Sequence, residues 1–276
     1  MRLQRPSIVA FLGLILAAPF CLAGVLIEET TQPLSGQGTS ATTRIFLDQE
    51  RARIESETGG RPHVIIYRAD RQTMYMINSA EKTYREMTRQ ELEKMGTQVS
   101  EMQKMMEEKM KNMPAQQRQM MEQIMKQRMG GAGGMTAAPQ PVTIYRKVAS
   151  GEAVNQWTAD KYEGIRGGQK EMDVWTTGWN EFGVTQNDFR VFQELGEFFK
   201  NFNPQMDDEM FKIGSAQADG EQGYSGVPVR RVSYRNGSPY QKSEVTQVKR
   251  QEFESNLFEP PDGFRKEAMP SMPGPR

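Results

Sequence analysis

The sequence predicts a mainly β protein with some α structure. The expected fold is a curved antiparallel sheet, partly closed into a half-barrel, with an inserted helical hairpin and one further helix. Three observations predict it. Short alternating runs joined by tight polar turns crowd residues 43–87, which is the spacing of a meander and not of βαβ units. A second set of strand signals resumes at Val142 and ends in Asn236-Gly237, a strong hairpin turn. Between the two sets, the apolar period lengthens from two residues to three or four.

The first block, 24–87, opens with an apolar run, Val25 to Thr31. Thr43, Ile45 and Leu47 alternate with polar neighbours, as do Ala52, Ile54 and Ser56, and a turn near Asp48-Gln49-Glu50 joins them. His63 to Tyr67, Thr73 to Ile77 and Lys82 to Met87 complete the meander. The second block, 142–264, starts with Val142 to Val148. It continues with a hairpin of Asp160 to Gly164 and Lys170 to Thr177, turned at Gly167-Gly168. Thr185 with Asp188 marks a helix start, and a helix over 185–202 puts Phe189, Phe192, Leu195 and Phe199 on one face. Phe198 and Phe202 lie off that stripe and would form a second apolar surface if exposed. Trp175, Trp179 and Phe182 are expected in the core. Residues 265–276, charged and then rich in Pro and Met, are expected to form a disordered tail.

Twelve of the 20 methionines lie between Met87 and Met135. Thr88 and Glu91 form a capping box. Leu92, Met95, Val99, Met102, Met106, Met110 and Met113 then step along one helical face. Pro114 starts a second helix carrying Met121, Ile124, Met125 and Met129, and Gly130-Gly131 ends it. The segment 88–129 is thus a methionine-rich hairpin, followed by a flexible linker at 130–141. As an insertion, it should have its ends, Met87 and Val142, close together on the sheet.

The leader reads as a cleaved export signal. Arg2 and Arg5 precede an apolar run from Ile8 to Phe20, too short to span a bilayer comfortably. Small residues place cleavage between Ala23 and Gly24. Phe20 stands where a lipoprotein signal needs a small residue, so Cys21 is not expected to be lipidated. The expected address is the periplasm, with no transmembrane segment in the mature chain. The 35 Lys and Arg balance 35 Asp and Glu, and removing Arg2 and Arg5 leaves a slightly acidic protein. That balance excludes a nucleic-acid footprint. Cys21, the only cysteine, leaves with the leader, so no disulfide is expected.

Catalysis is not expected, nor is a cofactor. His63 is the only histidine, and no Gly-x-Ser-x-Gly elbow accompanies it. Asp207-Asp208-Glu209 lacks the ligand spacing of a calcium loop. The methionine stripe has three readings. It packs the hairpin onto the sheet, or it forms a pliable lid in which Met102, Met106, Met110, Met121, Met125 and Met129 contact an apolar ligand or a lipidated partner. In the third, Met102, Met106 and Met110 hold a soft cation such as Cu(I) or Ag(I).

Several motifs resemble an exported bacterial domain-of-unknown-function family (DUF4412-like). They are Asp70 to Ile77 followed by Glu81-Lys82-Thr83-Tyr84, then Tyr162-Glu163-Gly164, Glu171 to Trp175, Gly226-Val227-Pro228-Val229, and Leu257 to Phe264. That family looks related to the LolA-like half-barrels, some of which carry or sense lipoproteins. The resemblance implies a LolA-like half-barrel and an envelope address. The function expected of such a fold with a methionine hairpin is a non-enzymatic carrier of a lipid, acyl chain or lipidated partner, and the alternative to it is a sensing or protein-interaction module. No LolA functional residue finds a matching position here.

Overall fold

A computed structural model describes residues 23–36, 38–58, 60–111, 114, 117, 142–200 and 223–269. Among the described residues, twelve strands form one large, curved, unclosed sheet with few helices. The first six are β1 (Gly24–Pro33), β2 (Ala41–Leu47), β3 (Arg51–Thr58), β4 (Arg61–Arg68), β5 (Thr73–Asn78) and β6 (Thr83–Thr88). They run as the expected antiparallel meander. Helix α1 (Arg89–Lys111) follows. Then come β7 (Ile144–Val154), β8 (Trp157–Arg166), β9 (Gln169–Thr177), the short helix α2 (Trp179–Phe182), a 3₁₀ turn and α3 (Arg190–Lys200). Strands β10 (Val227–Arg235), β11 (Ser238–Gln251) and β12 (Arg265–Glu267) complete the sheet.

The strand order is β12-β6-β5-β4-β3-β2-β1-β11-β10-β9-β8-β7. The two blocks are therefore fused through the antiparallel pair β1–β11. Turns fall where the sequence places them, with Gly167, Gly168, Asn236 and Gly237 all at positive φ.

This order corrects the expected insertion. β6 lies next to one end of the sheet and β7 forms the other end, ten strand spacings away. At about 4.8 Å per spacing that is an arc of roughly 48 Å. Residues 89–141 are thus the crossover between the two ends, and Met87 and Val142 are not sheet neighbours. The linker 130–141 and the second half of the hairpin lie outside the described residues.

The expected tail is corrected in its first residues, while 270–276 lie outside the described residues. Residues 265–267 form β12, which pairs parallel to Thr83, Tyr84 and Arg85 of β6. Lys266 binds Glu86 at 2.6 Å and Arg85 binds Glu267 at 3.2 Å, so the charges that suggested a solvated tail pair with the strand beside them. Before β12, the chain crosses one face of the first block. Phe258 is fully buried with Val64, Ile66, Tyr75 and Ile77, and Phe253, Leu257 and Phe264 pack around them. Glu259 forms ion pairs with Arg68, itself buried and held by Asp70, and with Arg71. The Leu257–Phe264 motif is a strap, and the Lys82-Thr83-Tyr84 hairpin is the edge on which it ends.

Candidate functional site

The opposite face of the first block is where a half-barrel would hold a ligand. Register puts Val25, Leu47, Ala52, Tyr67, Met74 and Met87 in one row across six strands, and every member is buried. Helix α3 fills the space above. Phe189, Val191, Phe192, Leu195 and Phe198 share the core with that row. The Phe198 ring lies 5.5 Å from that of Tyr67, whose hydroxyl donates to the Glu194 carbonyl at 3.3 Å. Burial, with Glu194 adding to it, pushes the Tyr67 phenol up to about 12. Phe198 is therefore core and not a second apolar surface. The helix buries Phe198 together with Phe192 and Leu195 and half-buries Phe199, while Phe202 falls outside the described residues.

The next row is Ile27, Ile45, Ile54, Ile65 and Met76. Its cover thins from Ile45 to Ile65 and partly returns at Met76. Ile27 and Ile45 are buried, Ile54 and Met76 are half-buried, and Ile65 is 37% exposed. The row after that is polar, with Glu29, Thr43, Ser56 and His63. An apolar strip one row wide is thus left beyond the helices.

Helix α1 is rooted on this core. The Thr88–Glu91 capping box forms as expected, with bonds of 2.9 to 3.2 Å. Leu92 is 1% exposed and Met95 packs against the same cluster. Beyond the root, Met105 is 45% exposed, and Glu101, Lys104, Glu108 and Lys111 are on the surface. The backbone of Met102, Met106 and Met110 belongs to this one helix. Met121, Met125 and Met129 lie outside the described residues. Asp207-Asp208-Glu209 also lies outside. Ala23 directly precedes β1, which Gly24 opens. No described helix is long and apolar enough to cross a membrane.

Two polar features of the second block carry no signal in the sequence. A cleft of about 280 Å³ is lined by Thr158, Asp160, Thr176, Thr177, Glu181 and Gly226, among others. Its carboxylates are engaged. Lys147 binds Asp160 at 2.6 Å and holds that carboxyl below the usual range, while Glu181 accepts from the Thr177 hydroxyl at 2.9 Å. The second feature is Asp173, 2% exposed, with Lys170 at 2.9 Å, Lys161 at 3.6 Å and the Tyr234 hydroxyl donating at 2.8 Å. Burial, then the bond to Asp173, raises the Tyr234 phenol. Lys161 and Arg230 lie over the Trp175 ring. Isolated charges in strand segments give no warning that register will gather them on one carboxylate. Among the described residues, no three His, Cys, Asp or Glu side chains are grouped to hold a metal ion.

No family model matches the chain, and no curated protein matches it. Among solved structures, an uncharacterised conserved protein from Thermus thermophilus is similar over 90% of this chain and 92% of its own. The identity is 9% and the TM-score 0.43. PNGF-II is similar over 90% of this chain and 32% of its own, at 8% identity and a TM-score of 0.36. Likenesses this distant carry no argument about function.

Proposed function

We propose a non-enzymatic binding protein of the bacterial envelope that holds an apolar chain, of the acyl class, along the strip Ile54, Ile65 and Met76. The observation that carries this reading is the partly uncovered end of that row, on the core face that also roots a methionine-striped helix. A linear hydrocarbon matches a strip one side chain wide, and thioether side chains adapt to its varied contours. Helix α1 would act as the pliable cover. The leader, with cleavage between Ala23 and Gly24, supports a periplasmic address without a lipid anchor.

The test uses a fluorescent polyene fatty acid as probe, with wild type and Ile65→Glu compared. Ile65 is already partly in water, so the variant should keep its thermal midpoint within a few degrees. Its affinity for the probe should fall about tenfold or more, because a carboxylate would face the hydrocarbon. Equal affinity in the two proteins would sink the strip as the binding surface.

A further inference from the structure

The far edge of the sheet carries a second kind of surface. β7 is the terminal strand, and no described strand pairs with its outer side. Exposed edges of this length are usually blunted, because their free N–H and C=O groups invite another chain. Here the edge is split. Two register irregularities fall between Lys147 and Ala149 and between Ala149 and Glu152, and Gly151 sits at a φ of 74°. They disrupt the second half of the strand. The first half is regular, with Ile144 to Lys147 pairing in sequence with Ile165 to Tyr162.

That regular half is apolar on its outside. Val142 is 54% exposed and Ile144 41%, and Val148, at the first irregularity, is 50% exposed, so three of the six exposed large hydrophobic side chains among the described residues fall within seven positions. Val142, Ile144 and Arg146 alternate with buried Thr143 and Tyr145, which places them on one face. Arg146 is exposed and forms no ion pair among the described residues. We propose that the edge 142–147 binds an extended segment of another protein by strand addition, and that this segment carries an acidic residue opposite Arg146 between apolar ones.

A second copy of the chain fits the edge less well. A two-fold axis at Tyr145 would oppose Arg146 to Ile144 and gather Arg146 and Lys147 of both copies in one short ladder, a like-charge arrangement that disfavours pairing. An axis at Ala149 would oppose Arg146 to Glu152, but it would centre the ladder on the irregular stretch. Glu152 is also occupied, because it accepts a hydrogen bond from the Trp175 indole N–H at 2.5 Å.

The experiment uses two fluorescein-labelled peptides of alternating Val and Thr with a central Glu or a central Lys. Both are N-methylated along one edge so that they cannot assemble with themselves. Wild type should prefer the Glu peptide by about tenfold, the span between favourable and unfavourable cross-strand charge pairs. Arg146→Glu should invert the preference, and circular dichroism should report an unchanged fold. Failure of wild type to bind either peptide, or equal binding of both by the two proteins, overturns the proposal. Dimerisation in sedimentation, abolished by Ile144→Lys, would assign the edge to a second copy and also overturn it.

Discussion

Asp188 shows how much one carboxylate can hold. It accepts from the Thr185 backbone N–H at 2.6 Å and the Thr185 hydroxyl at 2.9 Å, and it binds Arg250 of β11 at 2.7 Å. One side chain therefore caps the turn leading into α3 and pins it to the sheet. Burial raises its pKa, but Arg250 and the two Thr185 donors outweigh that, so the folded value lies below the ordinary one. A folded pKa depressed in this way contributes stability above the unfolded pKa of about 3.9, and that contribution disappears as pH falls through the folded value. Asp188→Asn should accordingly cost about 1 kcal/mol at pH 7. The gap in thermal midpoint between variant and wild type should narrow as pH drops below about 4. A gap that stays constant down to about pH 3 would show that the charge is not what matters.

At the scale of elements, α1 bears on the metal reading. Because the helix is continuous from Arg89 to Lys111, Met102 and Met110 are two full turns apart. At 1.5 Å per residue their backbones are separated by about 12 Å along the axis, a wide span for three thioethers to close on one ion. Cu(I) should bind weakly, and a chromogenic Cu(I) chelator should strip it completely. Micromolar or tighter binding, lost when Met102, Met106 and Met110 are all replaced by Leu, would reverse that expectation. Elements also show what was legible. Thr88–Glu91 and Thr185–Asp188 are local signals, and both boxes formed where the residues implied. β7 reads only as far as Val148, because its irregular registers destroy the alternation that marks a strand, and the Ala149–Val154 half is silent for that reason. The strip at Ile65 is equally silent. Alternation marks Ile54 and Ile65 as apolar, but which row a helix covers depends on how far α3 reaches across the sheet.

At the scale of the whole molecule, the crossover decides an experiment. Replacing residues 89–143 with a six-residue Gly/Ser linker would be harmless if β6 and β7 were neighbours. They stand at opposite ends of the strand order, and six residues reach at most about 21 Å. Even a semicircular arc of about 48 Å leaves its ends about 30 Å apart. The short replacement should abolish cooperative thermal unfolding. A flexible linker of about 40 residues should restore it, since added loop length costs little once the span is met. Cooperative unfolding of the short-linker protein would refute the strand order.

The strap and β11 together set the tempo at which this chain can become itself. The first six strands form a local meander with two open edges, β1 and β6. β11 closes the first edge and β12 the second, so both wait for residues beyond Tyr234. A chain emerging from its amino end would carry a nearly finished sheet with both flanks adhesive until its last segments arrive. Contacts so remote in sequence form slowly. The interval before they form is when the protein is most vulnerable to sticking to its own kind, and a chaperone that shields β1 and β6 would act in that interval and at no other time.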